Sequence, residues 1–276
     1  MWWCGISWLV TIGVINLILF IVGILFFIPR DRWRDFFIAR SEDWVIFRYV
    51  ILILGVVGLH LVEVNVLDPF VNSVVSWDFA SIMVSIEDSF VVGLVDLWHP
   101  WVVGFFVLIY IAVYPFTLWF SVVYFIWCRE VKGLRTLAWG LVFVYAVALP
   151  FYLFFPVSNV YTFFDSGSAL EVVIPGVEQF FYSTTTSDNC FPSLHTAMSL
   201  MVALSVWWTG NRRFGWFAWI VAGLVIVSVV YLAIHWLMDV VAGVVLVVGV
   251  SFILRRWFVE GDTGDSWFRR RGEKGS

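Results

Sequence analysis

Apolar residues run along this chain in long blocks and not in alternation. Seven stretches of about twenty residues, the length that crosses the hydrocarbon core of a bilayer, are predominantly apolar: 6–28, 44–67, 101–127, 136–156, 193–209, 214–234 and 236–254. The apolar/polar alternation of an outer-membrane barrel is missing, so each block predicts a helix, in which every backbone polar group is satisfied within the segment. The pattern predicts an all-α, polytopic transmembrane helix bundle of about seven spans. The first 28 residues lack a basic leading region and a small-residue cleavage site, and read as a retained membrane helix.

The polar residues between the blocks add an orientation. Arg30, Arg32, Arg34 and Arg40 separate the first two spans, and Arg129, Lys132 and Arg135 separate the third and fourth. Arg212 and Arg213 separate the fifth and sixth, and Arg255, Arg256, Arg269, Arg270, Arg271 and Lys274 follow the last. No Lys or Arg occurs from Leu61 to Cys128 or from Thr136 to Asn211. Seven spans put every cation-bearing connection on one side, which the positive-inside rule makes the cytoplasm. The protein is expected in a membrane with its N-terminus extracytoplasmic and its C-terminus cytoplasmic.

Four regions follow: N-terminal transmembrane helices over 1–67, an extracytoplasmic amphipathic segment over 68–100, a transmembrane core over 101–256 and a flexible cytoplasmic tail over 257–276. The outer segment mixes apolar residues with Asp78, Glu87, Asp88 and Asp96. It reads either as a lid lying in the interface or as an ordered loop covering helix ends.

Composition agrees with the pattern. The 276 residues are 62% hydrophobic and 13% charged, with a mean hydropathy of +0.95; a soluble domain of this size cannot hide so much apolar surface. The net charge of -4 names no partner, and without a basic face interleaved with aromatics nucleic acid is not expected as one. Cys4, Cys128 and Cys190 form no CxxC pair and read as packing residues, although a Cys4–Cys190 bridge stays open if both face outward.

Two polar islands on the outer side carry candidate chemistry. Cys190-Phe191-Pro192-Ser193-Leu194-His195 leads into the fifth span, with Pro192 suited to the first helical turn. Ser193 and His195 then sit at the N–H-rich helix end that attracts anions. His235-Trp236-Leu237-Met238-Asp239 opens the seventh span, where a His and an Asp four residues apart share a helix face. A carboxylate there can accept the Nδ1 proton of His235 and leave Nε2 as base or nucleophile. His195 can then protonate a leaving group, while Ser193 and nearby amides hold a negative oxygen. Either His alone reads as a satisfied polar residue at a helix end. The pair on one face, with the Asp spacing, points to chemistry, because ionisable groups at membrane depth are costly. His60 and Glu63, one turn apart near the outer end of the second span with Asn65 close by, either line a cavity or make a helix–helix contact. They are too few for a metal site, and no HExxH accompanies them.

Pro192-Ser193-Leu194-His195 resembles the Pro-Ser-x-His motif of the type 2 phosphatidic acid phosphatase superfamily. Ser228, His235 and Asp239 match the spacing of that family's third motif, and the resemblance covers roughly residues 100–250. Phe154-Phe155-Pro156-Val157, Phe191 and Trp236 are similar to the branch containing inositol phosphorylceramide synthase. The resemblance implies a metal- and cofactor-independent phosphatase or headgroup phosphotransferase. His235 would attack phosphorus to give a phosphohistidine, Asp239 would orient it, and His195 would protonate the leaving alcohol. Ser193, Ser228 and Tyr161 would bind phosphate, and the substrate would be a membrane lipid phosphate or phosphodiester. A simple lipid phosphate phosphatase and a catalytically silent lipid-binding or lipid-transporting relative are the alternatives. The chain departs from the family in its cations: Val229 stands where the third motif carries Arg, and Ser158-Asn159-Val160 where the synthase branch carries Pro-Pro-Arg. Thr184–Thr186 and Tyr161 are the hydroxyls left to help hold phosphate.

Overall fold

The computed structural model describes residues 2–34, 43–75, 77–88, 90–177 and 185–272. Among the described residues, six helices are long and apolar enough to cross a membrane, and a shorter apolar helix covers Leu194–Trp207. No β-strand occurs among the described residues; a single parallel bridge joins Val157 and Asn189. The chain is an all-α integral membrane bundle.

The first helix, α1, runs Trp2–Phe27 and approaches the bundle at Gly23, where the Phe116 and Phe120 rings leave no room for a side chain. The second span is α2, Asp43–Val62, a π-helical turn over Glu63–Leu67, and α3, Asp68–Val74. The outer segment folds as α4, Ala80–Glu87, and α5, Phe90–Gly93. The third span is α6, Pro100–Leu108, a π turn over Ile109–Val113, and α7, Tyr114–Cys128. Next come α8, Val131–Phe154, and two short outer helices, α9, Val160–Phe163, and α10, Ala169–Val173. The last three are α11, Leu194–Trp207, α12, Arg212–Tyr231, and α13, Leu237–Gly272. The apolar stretch of α13 ends at Phe258, and the helix continues through residues for which the sequence predicts a flexible tail. Extending an existing helix adds one hydrogen bond per residue without a new nucleation cost.

Each π turn is followed by a proline in the first turn of the next helix, Pro69 in α3 and Pro115 in α7. Proline lacks an N–H, and its ring crowds the carbonyl four residues back. A widened preceding turn relieves that crowding and turns side chains toward the bundle interior.

Helix α11 is the centre of the bundle and packs against α7, α8, α12 and α13. Its core contacts include Ala197, Met201, Val202 and Val206 against Phe120, Leu134, Leu141 and Val250. At one end of the bundle the cation-bearing connections meet. Asn211 Nδ2 donates to the Phe27 carbonyl at 3.0 Å and to Tyr124 Oη at 2.9 Å. Trp127 Nε1 donates to the Arg32 carbonyl at 3.2 Å, and Arg129 pairs with Asp43.

The described residues of the outer segment pack as a cover on the bundle. Phe79 stacks on Phe155 at 3.9 Å. Asp78 Oδ1 accepts the amides of Ala80 and Ser158. Trp98 Nε1 donates to the Tyr231 carbonyl at 2.8 Å, and Tyr231 Oη donates back to the Leu97 carbonyl at 3.1 Å. Ala80, Met83 and Val91 pack with Val157, Val160, Cys190 and Trp236.

Candidate active site

The loop before α11 is held by a short ladder. Val157 N–H donates to the Asp188 carbonyl at 2.7 Å, Asn159 N–H to the Ser187 carbonyl at 2.7 Å, and Cys190 N–H to the Val157 carbonyl at 3.3 Å. Phe155 and Phe191 lie 6.1 Å apart, and Trp236 Nε1 donates to the Ser158 carbonyl at 2.8 Å. The Phe-Pro-Val stretch, Phe191 and Trp236 therefore form one scaffold around the loop. The Phe191–Pro192 peptide is cis. Pro192 lies outside the helix, a correction to its expected place in the first turn. Ser193 is the N-cap, its Oγ accepting the Thr196 N–H at 3.3 Å, as a short polar side chain does for an otherwise unpaired helix amide.

The seventh span starts beside this cap. A tight turn after α12, with Ala233 at φ 56°, turns the chain back, and the His235 N–H donates to the Val229 carbonyl at 3.0 Å. Ser193 N–H donates to the backbone carbonyl of Asp239 at 3.0 Å, tying the two segments directly.

His235 Nδ1 lies 3.2 Å from Asp239 Oδ2, which also accepts the Trp236 N–H at 2.9 Å. His235 Nε2 lies 3.2 Å from His195 Nδ1, and His195 Nε2 lies 2.9 Å from Tyr110 Oη. One set of protons satisfies all three contacts. With Asp239 as acceptor, His235 carries its proton on Nδ1 and offers Nε2 as acceptor. His195 then donates from Nδ1 and receives the Tyr110 hydroxyl on Nε2. Tyr110, which the sequence does not single out, enters the site because the Ile109–Val113 π turn rotates it inward.

These imidazoles face a cavity of about 320 Å³. Val56, Val57, Leu141 and Met198 are among its apolar lining, and Tyr110, Tyr114, Tyr145, Tyr152 and Tyr161 also line it. His60, Asn159, Thr185, Thr186 and Asn189 complete its polar lining. Of the expected site residues, His195, His235 and Tyr161 line this space, and Asp239 stands behind His235. Ser193 and Ser228 are fully buried and outside the lining; Ser228 Oγ donates to the Val225 carbonyl at 2.8 Å. Thr184 lies outside the described residues. Among the described lining residues there is no Lys or Arg.

Cys190, His235 and Asp239 each offer a metal-ligand atom within 4.8 Å of the others, all buried. Thiols ligate metals as thiolates, and burial pushes the Cys190 thiol well above its ordinary value. Its Sγ donates to the Ile234 carbonyl at 3.6 Å. A thiol held in that form fits packing better than ligation, and without it the trio falls short of a metal site. The Cys190 thiol is free, and the Cys4 side chain lies outside the described residues.

A sequence profile of the PAP2 superfamily matches residues 80–253. The chain belongs to that superfamily. The matched stretch takes in α4, the scaffold and both histidine segments, and it carries a phosphatase-type lipid function for this membrane protein. No curated protein and no solved structure matches the chain.

Proposed function

We propose that this PAP2 protein transfers the phosphate of a membrane lipid phosphate or phosphodiester through a phosphohistidine on His235. The observation that carries the reading is the ordered chain Tyr110–His195–His235–Asp239 in the wall of one cavity. His235 Nε2 attacks phosphorus, and the bond from phosphorus to the leaving alcohol breaks. The His195 Nδ1 proton passes to the leaving oxygen, while Asp239 holds the proton on His235 Nδ1. In the second half, water or an alcohol attacks phosphorus, its proton goes to His195 Nδ1, and the nitrogen–phosphorus bond breaks. The hydrogen bond between the imidazoles opens to admit the phosphate, because both nitrogens are needed for the reaction.

Two features favour transfer from a diester over hydrolysis of a monoester. Without Lys or Arg in the described lining, each extra phosphate charge forgoes a charge-assisted hydrogen bond worth about 1.5–3 kcal/mol. The scaffold built from Phe155, Val157, Phe191 and Trp236 carries the likeness to the inositol phosphorylceramide synthase branch. The positive N-terminal end of α11, with Leu194 and His195 in the cavity wall, is the remaining attraction for phosphate. The Lys/Arg pattern supports an extracytoplasmic site, with the cationic bundle end in the cytoplasm.

The test is to incubate purified protein, beside His235→Ala, with radiolabelled lipid phosphates and phosphodiesters. Acid-labile label on the native protein alone, with release or transfer of the headgroup phosphate, supports the reading. Equal inertness of both proteins across the panel removes it in favour of lipid binding or transport.

A further inference from the structure

Glu63 is fully buried within the second span, and the chemistry above does not use it. A buried carboxylate at that depth costs several kcal/mol unless it is fully partnered. Its partners are specific. Oε2 accepts from His60 Nδ1 at 3.0 Å and from Tyr145 Oη at 3.1 Å. Asn189 Nδ2 bridges Oε1 to Asp68. His60 also meets the Tyr145 ring edge-on at 5.8 Å. His60, Tyr145 and Asn189 all line the cavity that holds His195 and His235, whereas Glu63 and Asp68 stand behind the wall. Asn189 is the neighbour of Cys190, so this cluster is joined to the loop that positions His195.

The cavity thus holds two imidazole–carboxylate pairs. In each, the carboxylate takes the Nδ1 proton and sets Nε2 as the accepting nitrogen. The second pair shares the cavity wall with the apolar side chains of Val56, Val57 and Leu141. We propose that His60, held by Glu63, is the binding subsite for the hydroxyl of an alcohol acceptor. The chemistry around it selects a neutral alcohol. Among the described lining residues no carboxylate faces the cavity to pair with a cationic group. An anionic group would need a cation, and the described lining has no Lys or Arg. What remains is an imidazole with amide and phenol neighbours, a set that binds hydroxyls. This assignment rests on the transfer reaction proposed above.

Glycerol serves as the probe acceptor, with a glycerophospholipid diester radiolabelled at phosphorus as donor and full-length protein in detergent. The wild type is compared with His60→Ala and His60→Gln, each checked for folding by its thermal transition. The side chain of His60 is about one-third exposed (31%), so its replacement removes little packing. The expected result is a fall of about tenfold or more in the ratio of transfer to hydrolysis for His60→Ala, read as a raised KM for glycerol. His60→Gln, which keeps an accepting oxygen, recovers part of the loss. An unchanged ratio and KM overturn the subsite. If the wild type forms no phosphohistidine, the transfer reaction fails separately, and glycerol binding is read by saturation-transfer NMR. Binding present in the wild type and lost in His60→Ala upholds the subsite. Equal binding, or none in either protein, overturns it.

Discussion

Gly243 lies directly beneath Ser193: a β-carbon on Gly243 would fall 2.8 Å from the Ser193 carbonyl oxygen and 3.1 Å from Thr196 Cβ. Gly243 is one turn beyond Asp239, so this contact sets how closely the acid-bearing helix approaches the cap of α11. The neighbour is backbone and cannot turn aside. Gly243→Ala is therefore expected to separate the His235 and His195 segments. A displacement of about 1 Å costs on the order of a hundredfold in rate, with a stability loss of about 1–3 kcal/mol. Phosphohistidine yield and thermal unfolding check both, and a fully active variant would refute the close-packing argument.

Asp239→Asn tests the charge behind His235. Oδ2 accepts both the Trp236 N–H and the His235 Nδ1 proton, so an amide oxygen in its place keeps both bonds and removes only the negative charge that stabilises His235 as Nε2 bonds to phosphorus. A charge-assisted hydrogen bond of about 1.5–3 kcal/mol corresponds to a loss in phosphoenzyme formation of about 10–150-fold. Rapid-quench labelling reads it directly, and an unaltered rate would show that the carboxylate charge plays no part.

Tyr110→Phe removes the hydroxyl donated to His195 Nε2. One hydrogen bond of about 0.5–1.5 kcal/mol corresponds to a rate lowered by about 2–12-fold. Steady-state turnover is the measurement, and an unaltered rate would place Tyr110 outside the relay.

Much of this arrangement is legible in the sequence, and the part that is not has a physical reason. The third span, expected at 101–127, runs Pro100–Cys128, and the fifth, expected at 193–209, runs Leu194–Trp207. Long apolar blocks fix such elements because length and hydropathy alone decide them. The pairing of His195 with His235 follows from which side each connection falls on. Tyr110 and the orientation of Glu63 are not readable from helical periodicity, because a π turn breaks the period where each occurs. Pro69 and Pro115 are the available signals, although Pro150 lies inside α8 with no π turn, so proline alone does not locate one. Ser193 and Ser228 carry the family spacing, yet the structure uses both hydroxyls for backbone bonds, a choice that spacing cannot reveal.

Glu87 links the outer cover to the seventh span. Its carboxylate accepts the Leu237 N–H at 3.0 Å and the Met238 N–H at 2.6 Å, capping the helix that carries Asp239. Burial nevertheless holds its carboxyl above the ordinary 4.5. The folded state therefore keeps this proton more tightly than the unfolded state. The resulting stability is present at low pH and declines as pH rises from about 4.5 through the raised value. Glu87→Gln does not titrate and keeps one accepting oxygen. The stability of the wild type relative to the variant should thus decrease as pH rises above about 4.5, as followed by thermal unfolding in detergent. A difference that grows with pH would contradict the assignment.

The stretch that matches the superfamily begins at residue 80, whereas His60 and Glu63 belong to the second span. The His195 and His235 imidazoles and the part of the cavity wall that carries His60 are therefore on separate lengths of one chain and come together only when it folds. Exchanging the helices before residue 80 would alter what faces the reactive centre while leaving its own framework in place. A cavity assembled in this way can be re-lined without being rebuilt.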